Sequence, residues 1–533
     1  MKSDRQWCHS TDRFAVQNWT RVPHAAQVLL LSVFVVLLAA CEARSQAKPP
    51  AATSRRAAIA QPTEPKPNII FVMIDTLRAD RIGAYGHPGH LTPTIDALAA
   101  EGVLFENCAS AAPWTLPSVS SMFCSFYPSV HKATTYHADA SKDSRLSRSV
   151  AMFDKDDVFL TIPKLLKQQG YATAGFSANP FIRAEHGFGS GFDFWADCMS
   201  SDGGDAISAA ALDWLDRRGE SKAPFFLYLH YMDVHGPYDA QPEFLDPLVE
   251  QVEQDPGRKL WPREFNRLSR SLRKPPLNDS TPGRFEELKW YENYWIARYE
   301  AGVAEMDDVL SHLVDYLKAH HLWDSAYVIL VSDHGQGLCE HGAWDHGSSQ
   351  FQTALHVPMV LRWPGVLPSG RRVSERVRMI DLLPTLVDQL GGSLPSELQG
   401  ETLMPLILNQ KGSADRIAFA ESRKGSLESG HEQKAIFSGS WKLIRQTKRR
   451  GEPKVGDTTY RLYNVSHDPS ESNDLAPTRP EKVAELRKLL EQQIQRNSVL
   501  GRGIIAHEHI LSDDAAQRLK SLGYVGDDDD DLE

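Results

Sequence analysis

Two apolar runs in this chain stop abruptly at residues able to bind a cation. Ile69-Ile70-Phe71-Val72-Met73-Ile74 stops at Asp75, and Tyr327-Val328-Ile329-Leu330-Val331-Ser332 stops at Asp333-His334. Between them lies Ala112-Pro113-Trp114-Thr115-Leu116-Pro117-Ser118, which offers a hydroxyl at Thr115. Such runs read as strands buried on both faces, and in open α/β sheets ligands collect beyond the carboxyl ends of strands. Two carboxylates, an imidazole and a hydroxyl suit a divalent cation that activates the hydroxyl. Pro117 to Phe123 reads as a helix, which sets Thr115 just before a helix N-terminus. Unpaired N–H groups there favour an anion or an alkoxide.

The elements needed to position these groups follow from the pattern of the chain. Thr92 to Glu101 is expected to be a helix with Thr92 as N-cap and Pro93 at its first position. Thr161 to Gln169 is a helix closed by Gly170, followed by a strand from Ala172 to Ser177. Ala206 to Arg217 is a helix before the strand Phe225 to Leu229, and Trp290 to Ala319 has long helical periodicity before the strand that ends at Asp333. This alternation predicts a mostly parallel sheet flanked by helices on both faces. Residues 239 to 285, rich in Pro and charge, break the pattern and read as an insertion. From about residue 411 to 525, runs such as Lys434 to Phe437 and Trp441 to Ile444 predict a small C-terminal α+β subdomain, with a helix over Glu481 to Arg496.

Further pieces extend the pattern: Asp75-Thr76-Leu77-Arg78, Thr92-Pro93-Thr94-Ile95-Asp96, His230-Tyr231-Met232-Asp233-Val234-His235-Gly236-Pro237, Glu340-His341-Gly342, Asp345-His346-Gly347 and Leu462-Tyr463-Asn464-Val465-Ser466-His467-Asp468-Pro469. In this order and spacing they resemble the sulfatase family of the alkaline phosphatase superfamily, over roughly residues 67 to 525. The resemblance implies a catalytic domain over 67–410 and metal ligation by Asp75, Thr115, Asp333 and His334. It also implies catalytic roles for His235, which contacts the transferred group, and His346, which assists the leaving group. The chain departs from the family pattern in two places. Sulfatases usually carry a second Asp where Thr76 stands and often an Asn where His334 stands; the softer nitrogen moves the expected ion from calcium toward zinc or manganese. Sulfatases also oxidise a Cys or Ser to formylglycine within Cys/Ser-x-Pro-x-Arg, whereas here the positions are Thr115, Pro117 and Val119. Threonine cannot give that aldehyde, so no formylglycine is expected. Superfamily members with an unmodified threonine attack phosphorus directly. Asp233 and His235 lack the Asp-x-x-x-His spacing of two-metal relatives, so one divalent ion is expected.

The bulk properties set the surroundings. A net charge of −11 over 533 residues excludes a nucleic-acid binder that works by phosphate neutralisation. Arg21 and His24 precede an apolar stretch, Val28 to Ala40, of signal-peptide length. It ends in Leu38-Ala39-Ala40-Cys41, which resembles the bacterial lipobox and implies lipidation of Cys41. Residues 1–41 are then a lipoprotein signal, 42–66 a flexible tether and 526–533 an acidic tail. The expected location is the bacterial cell envelope, lipid-anchored to the membrane and facing the periplasm or exterior. Cys108, Cys124, Cys198 and Cys339 read as buried free thiols.

The sequence therefore predicts a metal-dependent hydrolase of an anionic ester, small-molecule, glycan or lipid: a sulfate ester by family, a phosphate mono- or diester by nucleophile. Two alternatives stand beside it. An envelope transferase of the phosphoethanolamine type requires an acceptor for turnover. A non-catalytic binding protein on a degenerate site is indifferent to loss of Thr115.

Overall fold

Ile69–Ile74 is buried at every position and forms β1, the middle of the main sheet. The computed structural model describes residues 66–138, 148–198, 203–219, 221–250, 252, 284–342, 344–347, 349–392, 397–410, 414–422, 431–448, 457–512, 515 and 519. The leader with Cys41, nearly all of the 42–66 tether, most of the 239–285 insertion and the acidic tail lie outside them. Among the described residues no helix is long and apolar enough to cross a membrane.

The remaining strands of the main sheet are β2 (Val103–Ala109), β3 (Ala172–Ser177), β4 (Phe194–Asp197), β5 (Phe225–Tyr231), β6 (Tyr327–Val331), β7 (His356–Val357), β8 (Met359–Arg362) and β9 (Arg371–Arg378). Their order is β7-β2-β8-β6-β1-β5-β3-β4, with β9 also beside β2. The pairs β1·β5, β1·β6, β3·β4, β3·β5 and β2·β9 are parallel, while β8 and β7 run antiparallel to their neighbours. Register places the site: Met73 sits opposite both His230 and Val331, so Asp75, His230 and Asp333 all fall at one carboxyl edge.

Helices cover both faces, because alternate residues of β1 feed two separate cores. Ile70, Val72 and Ile74 pack with α1 (Pro93–Glu101), α4 (Gly203–Arg218) and α5 (Arg284–Ala319). Ile69, Phe71 and Met73 pack with α2 (Thr115–Cys124), α3 (Ile162–Gln168) and α6 (Leu382–Gln389). Thr161 caps α3 as its hydroxyl accepts from Lys164 N. The predicted cap of α1 is different: Thr92 makes no cap hydrogen bond, and Asp307 of α5 accepts from Thr94 N at 2.8 Å and Ile95 N at 2.9 Å. A carboxylate brought by tertiary packing outcompetes the local hydroxyl, since it satisfies two orphan amides and adds negative charge at the helix start.

The C-terminal region is an antiparallel sheet, β10 (Ala418–Ser422), β11 (His431–Ser438), β12 (Trp441–Lys448) and β13 (Thr458–Asn464), in that order. Helix α7 (Pro480–Leu500) packs Leu486 and Leu490 against Phe419, Ile436, Leu443 and Leu462. The region also grips the segment that carries His346. Ser422 Oγ donates to the Gly347 carbonyl, and Glu471 accepts from Gln352 N at 2.5 Å. Glu471 is in turn paired at 2.7 Å with Lys442, both fully buried.

Candidate active site

Asp75 follows β1 directly, and the backbone turns sharply after it, with Thr76 at φ 58°. This turn is held from α5, where Tyr299 donates to the Thr76 carbonyl at 2.8 Å and accepts from Arg78 N at 3.0 Å. Arg78 reaches on to the Gln336 carbonyl at 2.9 Å and to Glu340 at 2.8 Å, linking the loops after β1 and β6. Thr115 is the first residue of α2, which starts two residues earlier than the sequence suggests. The whole helix is buried, which fixes Thr115 against the sheet edge. Two hydroxyls, Ser110 and Ser118, each donate to the Asp333 carbonyl at 2.6 Å and tie the strand end to that helix.

The four expected ligands come together. Thr115 Oγ1 lies 3.4 Å from Asp75 Oδ2 and 3.2 Å from His334 Nε2. His334 Nε2 lies 3.3 Å from Asp333 Oδ2 and 3.6 Å from Asp75 Oδ1. His334 Nδ1 faces the Gly335 carbonyl at 2.8 Å and must donate to it, so Nε2 carries the lone pair in the neutral ring. Asp333 Oδ1 accepts from His334 N at 2.9 Å and Thr76 N at 3.3 Å.

Two residues not assigned from the sequence complete the cluster. His230, near the end of β5, places Nε2 3.2 Å from Asp75 Oδ2, with Nδ1 3.1 Å from the Tyr228 hydroxyl. Asn179, in the loop after β3, donates to the same Asp75 oxygen at 2.7 Å while its own oxygen accepts from Phe181 N at 2.8 Å. His230 lies inside β5, which ends at Tyr231, and so lacks the strand-closing position that marks Asp75. Asn179 had no signal beyond standing after a strand.

The electrostatics favour a cation. Asp75 Oδ1 and Asp333 Oδ2 are buried with no hydrogen-bond partner among the described residues. Burial pushes Asp75 up, but the hydrogen bond with His230 and the fields of His334 and His235 outweigh it and hold the carboxyl below its ordinary range. Burial, then the charge of Asp75, pushes Asp333 well above that range. Two orphaned carboxylate oxygens and an imidazole lone pair facing one another fit a metal ion, which the chemistry of this donor set can hold. One ligand atom each from Asp75, His230 and Asp333 lies within 4.8 Å of the others.

His346 and His235 stand beside this cluster. The His346 ring centroid is 4.7 Å from that of His334 and 5.0 Å from that of His235. His346 Nδ1 donates to Gln336 Oε1 at 2.8 Å, and His235 Nδ1 donates to the Gly236 carbonyl at 2.9 Å. Both are therefore oriented with Nε2 as the remaining ring nitrogen. Val119, where the family arginine stands, is wholly buried in the core beneath α2. His131 serves packing: Ala133 N donates to its Nδ1 at 3.2 Å, and Nε2 then donates to Ser121 Oγ at 2.9 Å.

A family profile described as Sulfatase matches residues 67–392. The chain belongs to the sulfatase family. A second profile, the C-terminal region of N-sulphoglucosamine sulphohydrolase, matches residues 339–499. Among relatives, it is 24% identical to an N-acetylglucosamine-6-O-sulfatase of Bacteroides thetaiotaomicron over 503 residues, covering 80% of this chain and 86% of that one. It is also 24% identical to human N-acetylgalactosamine-6-sulfatase, covering 76% and 80% of the two chains. A solved complex with its substrate D-glucosamine-2-N,6-O-disulfate aligns with TM-score 0.64 and 22% identity, over 82% of this chain and all of that one. The phosphonate monoester hydrolase of Agrobacterium radiobacter aligns with TM-score 0.61 and 20% identity, over 81% and 96%. These likenesses establish the fold: a central, largely parallel sheet flanked by helices, with a C-terminal subdomain built on an antiparallel sheet. The chain is thus a hydrolase of a family whose named members act on sulfuric esters.

Proposed function

We propose that this sulfatase-family hydrolase attacks an anionic ester with the unmodified Thr115 hydroxyl, and that its substrate is a phosphate mono- or diester, or a phosphonate ester, rather than a sulfate ester. The observation that carries the reading is Thr115 Oγ1, buried at the start of α2, 3.2 Å from His334 Nε2 and 3.4 Å from Asp75 Oδ2. The phosphonate monoester hydrolase of the same fold supports chemistry at phosphorus, and the amino-sugar sulfatases among the relatives support a glycan-borne anionic ester.

Asp75, Asp333, His334 and Thr115 would hold the divalent ion. The His334 imidazole beside two carboxylates supports zinc or manganese over calcium, whose shell is built from oxygen. When bound, the ion lowers the pKa of the hydroxyl and offsets charge on the ester. The chain's own residues do the rest. Thr115 Oγ1 forms the bond to phosphorus as the ester oxygen departs, and the N-terminus of α2 stabilises the added negative charge. His346 acts as the imidazolium: its Nδ1–H stays on Gln336 and its Nε2–H goes to the leaving oxygen, the Thr115 proton having passed to solvent beforehand. Water then cleaves phosphothreonine, with the same ring taking up a proton. His235 positions the non-bridging oxygens. The lipobox Cys41 would keep this chemistry at the cell envelope.

The test is turnover of matched aryl sulfate, aryl phosphate and aryl phosphodiester by the full chain with zinc, manganese or calcium. Cleavage of a phosphorus ester, lost in Thr115→Ala, with phosphothreonine at residue 115 found by mass spectrometry, is expected. Cleavage of the sulfate alone, or turnover retained in Thr115→Ala, overturns the assignment.

A further inference from the structure

The strand Glu508–Ile510 pairs antiparallel with Arg148–Ala151, and this brings His509 beside the short helical turn Ala184–His186. One ligand atom each from Glu185, His186 and His509 lies within 4.8 Å of the others. His186 Nε2 is 3.8 Å from Glu185 Oε1, and His509 Nε2 is 3.7 Å from Glu185 Oε2. The two imidazole centroids are 5.3 Å apart. None of these residues belongs to the active site.

His186 is the informative member. Its side chain is fully buried, and Nδ1 donates to the Phe181 carbonyl at 3.0 Å. That bond fixes the tautomer, so Nε2 bears a lone pair. Burial lowers the pKa to about 4 despite the Phe181 hydrogen bond and the Glu185 charge, so the ring is neutral near pH 7. Nε2 has no hydrogen-bond partner among the described residues. A buried lone pair thus faces a carboxylate and a second imidazole with no proton of its own to share, an arrangement that costs stability unless a cation joins them. A backbone carbonyl behind Nδ1 is also the outer contact that orients metal-bound histidines.

We propose that Glu185, His186 and His509 form a second metal site, for a divalent transition ion such as zinc or cobalt, that clips the strand at 508–510 to the turn at 184–186. Two imidazoles and one carboxylate favour such ions over calcium or magnesium, whose shells are built from oxygen. The two separations, 3.8 and 3.7 Å, are wider than the roughly 3.3 Å of a tetrahedral shell, and the exposed Glu185 leaves its carboxylate room to move toward the rings. Arg183 holds Glu185 Oε1 at 3.0 Å and leaves Oε2 toward His509. The seam is already laced by Phe153 N donating to the His186 carbonyl and Met152 N to the His507 carbonyl, each at 2.8 Å. An ion there joins segments distant in sequence, so by binding only the folded chain it stabilises the fold by mass action.

The experiment uses the full chain with Asp75→Ala and Asp333→Ala, which removes the active-site carboxylates. Titration with Co²⁺ should give one bound equivalent with the visible absorption of a four- or five-coordinate ion, displaced by Zn²⁺. Adding His509→Ala, a partly exposed position, should abolish that absorption, and Glu185→Gln should weaken binding at least tenfold. Absence of cobalt binding, or binding unchanged by His509→Ala, overturns the proposal. In the otherwise native chain, elemental analysis should show one metal fewer in His509→Ala; equal counts overturn it as well.

Discussion

Asn179→Ala should weaken metal binding at the active site about 10- to 150-fold. Asn179 Nδ2 donates to Asp75 Oδ2 at 2.7 Å, and both side chains are fully buried, so water cannot take over the bond. A hydrogen bond to a charged group contributes about 1.5–3 kcal/mol. At about 1.4 kcal/mol per tenfold, that is the range given. Outer contacts of metal ligands lose about 10- to 100-fold when removed, which agrees. The substitution also removes the acceptor that Asn179 Oδ1 offers Phe181 N at 2.8 Å, so the fold should lose about 1–3 kcal/mol. Competition for Zn²⁺ with a chromophoric chelator reads affinity, and a melt on the same sample reads stability. Zinc affinity within threefold of the parent, with the melt lowered as expected, would refute the idea that Asn179 tunes Asp75.

Three other outcomes are expected. Lys442→Met leaves Glu471 charged and buried without its 2.7 Å partner, so urea unfolding should show a loss of about 3–5 kcal/mol; less than 1 kcal/mol would mean that the pair is dispensable. Burial lowers the His131 pKa from 6.5 to about 3, so the unfolded chain takes up a proton there that the folded chain refuses. Its stabilisation is full above pH 6.5 and is lost as pH falls toward 3. His131→Asn keeps an acceptor for Ala133 N and should flatten the fall of Tm between pH 6.5 and 4; an unchanged slope counts against this account. Cys41→Ala should move the protein from the membrane to the soluble fraction of a bacterial envelope preparation, and unaltered fractionation would remove the lipid-anchor reading.

The site was legible in the sequence where chemistry coincides with a local pattern. Asp75, Asp333 and His334 end apolar runs, and Thr115 precedes a helix signal, so each could be placed from its neighbours. His230 was hidden because Tyr231 prolongs the strand past it, and a histidine inside a buried run looks like packing. Asn179 and the bridge from Arg78 to the Gln336 carbonyl join loops far apart in sequence, which no periodicity records. The same reason explains α1: Thr92 looked like its cap, but the acceptor is Asp307, more than two hundred residues later. The parallel core was readable because both faces of β1 are apolar. The antiparallel β7 and β8 were not, since runs of two and four residues carry little pattern.

The grip of the C-terminal sheet on the His346 segment bears on how the protein is made. Asp75, Thr115, Asp333 and His334 all leave the ribosome before Ser422 and Glu471, whose contacts with Gly347 and Gln352 steady the stretch holding His346. A nascent chain halted after β9 therefore carries Thr115 but lacks the brace for the His346 segment. Synthesis order then sets when that segment is held: only after the last quarter of the polypeptide has emerged and closed around it.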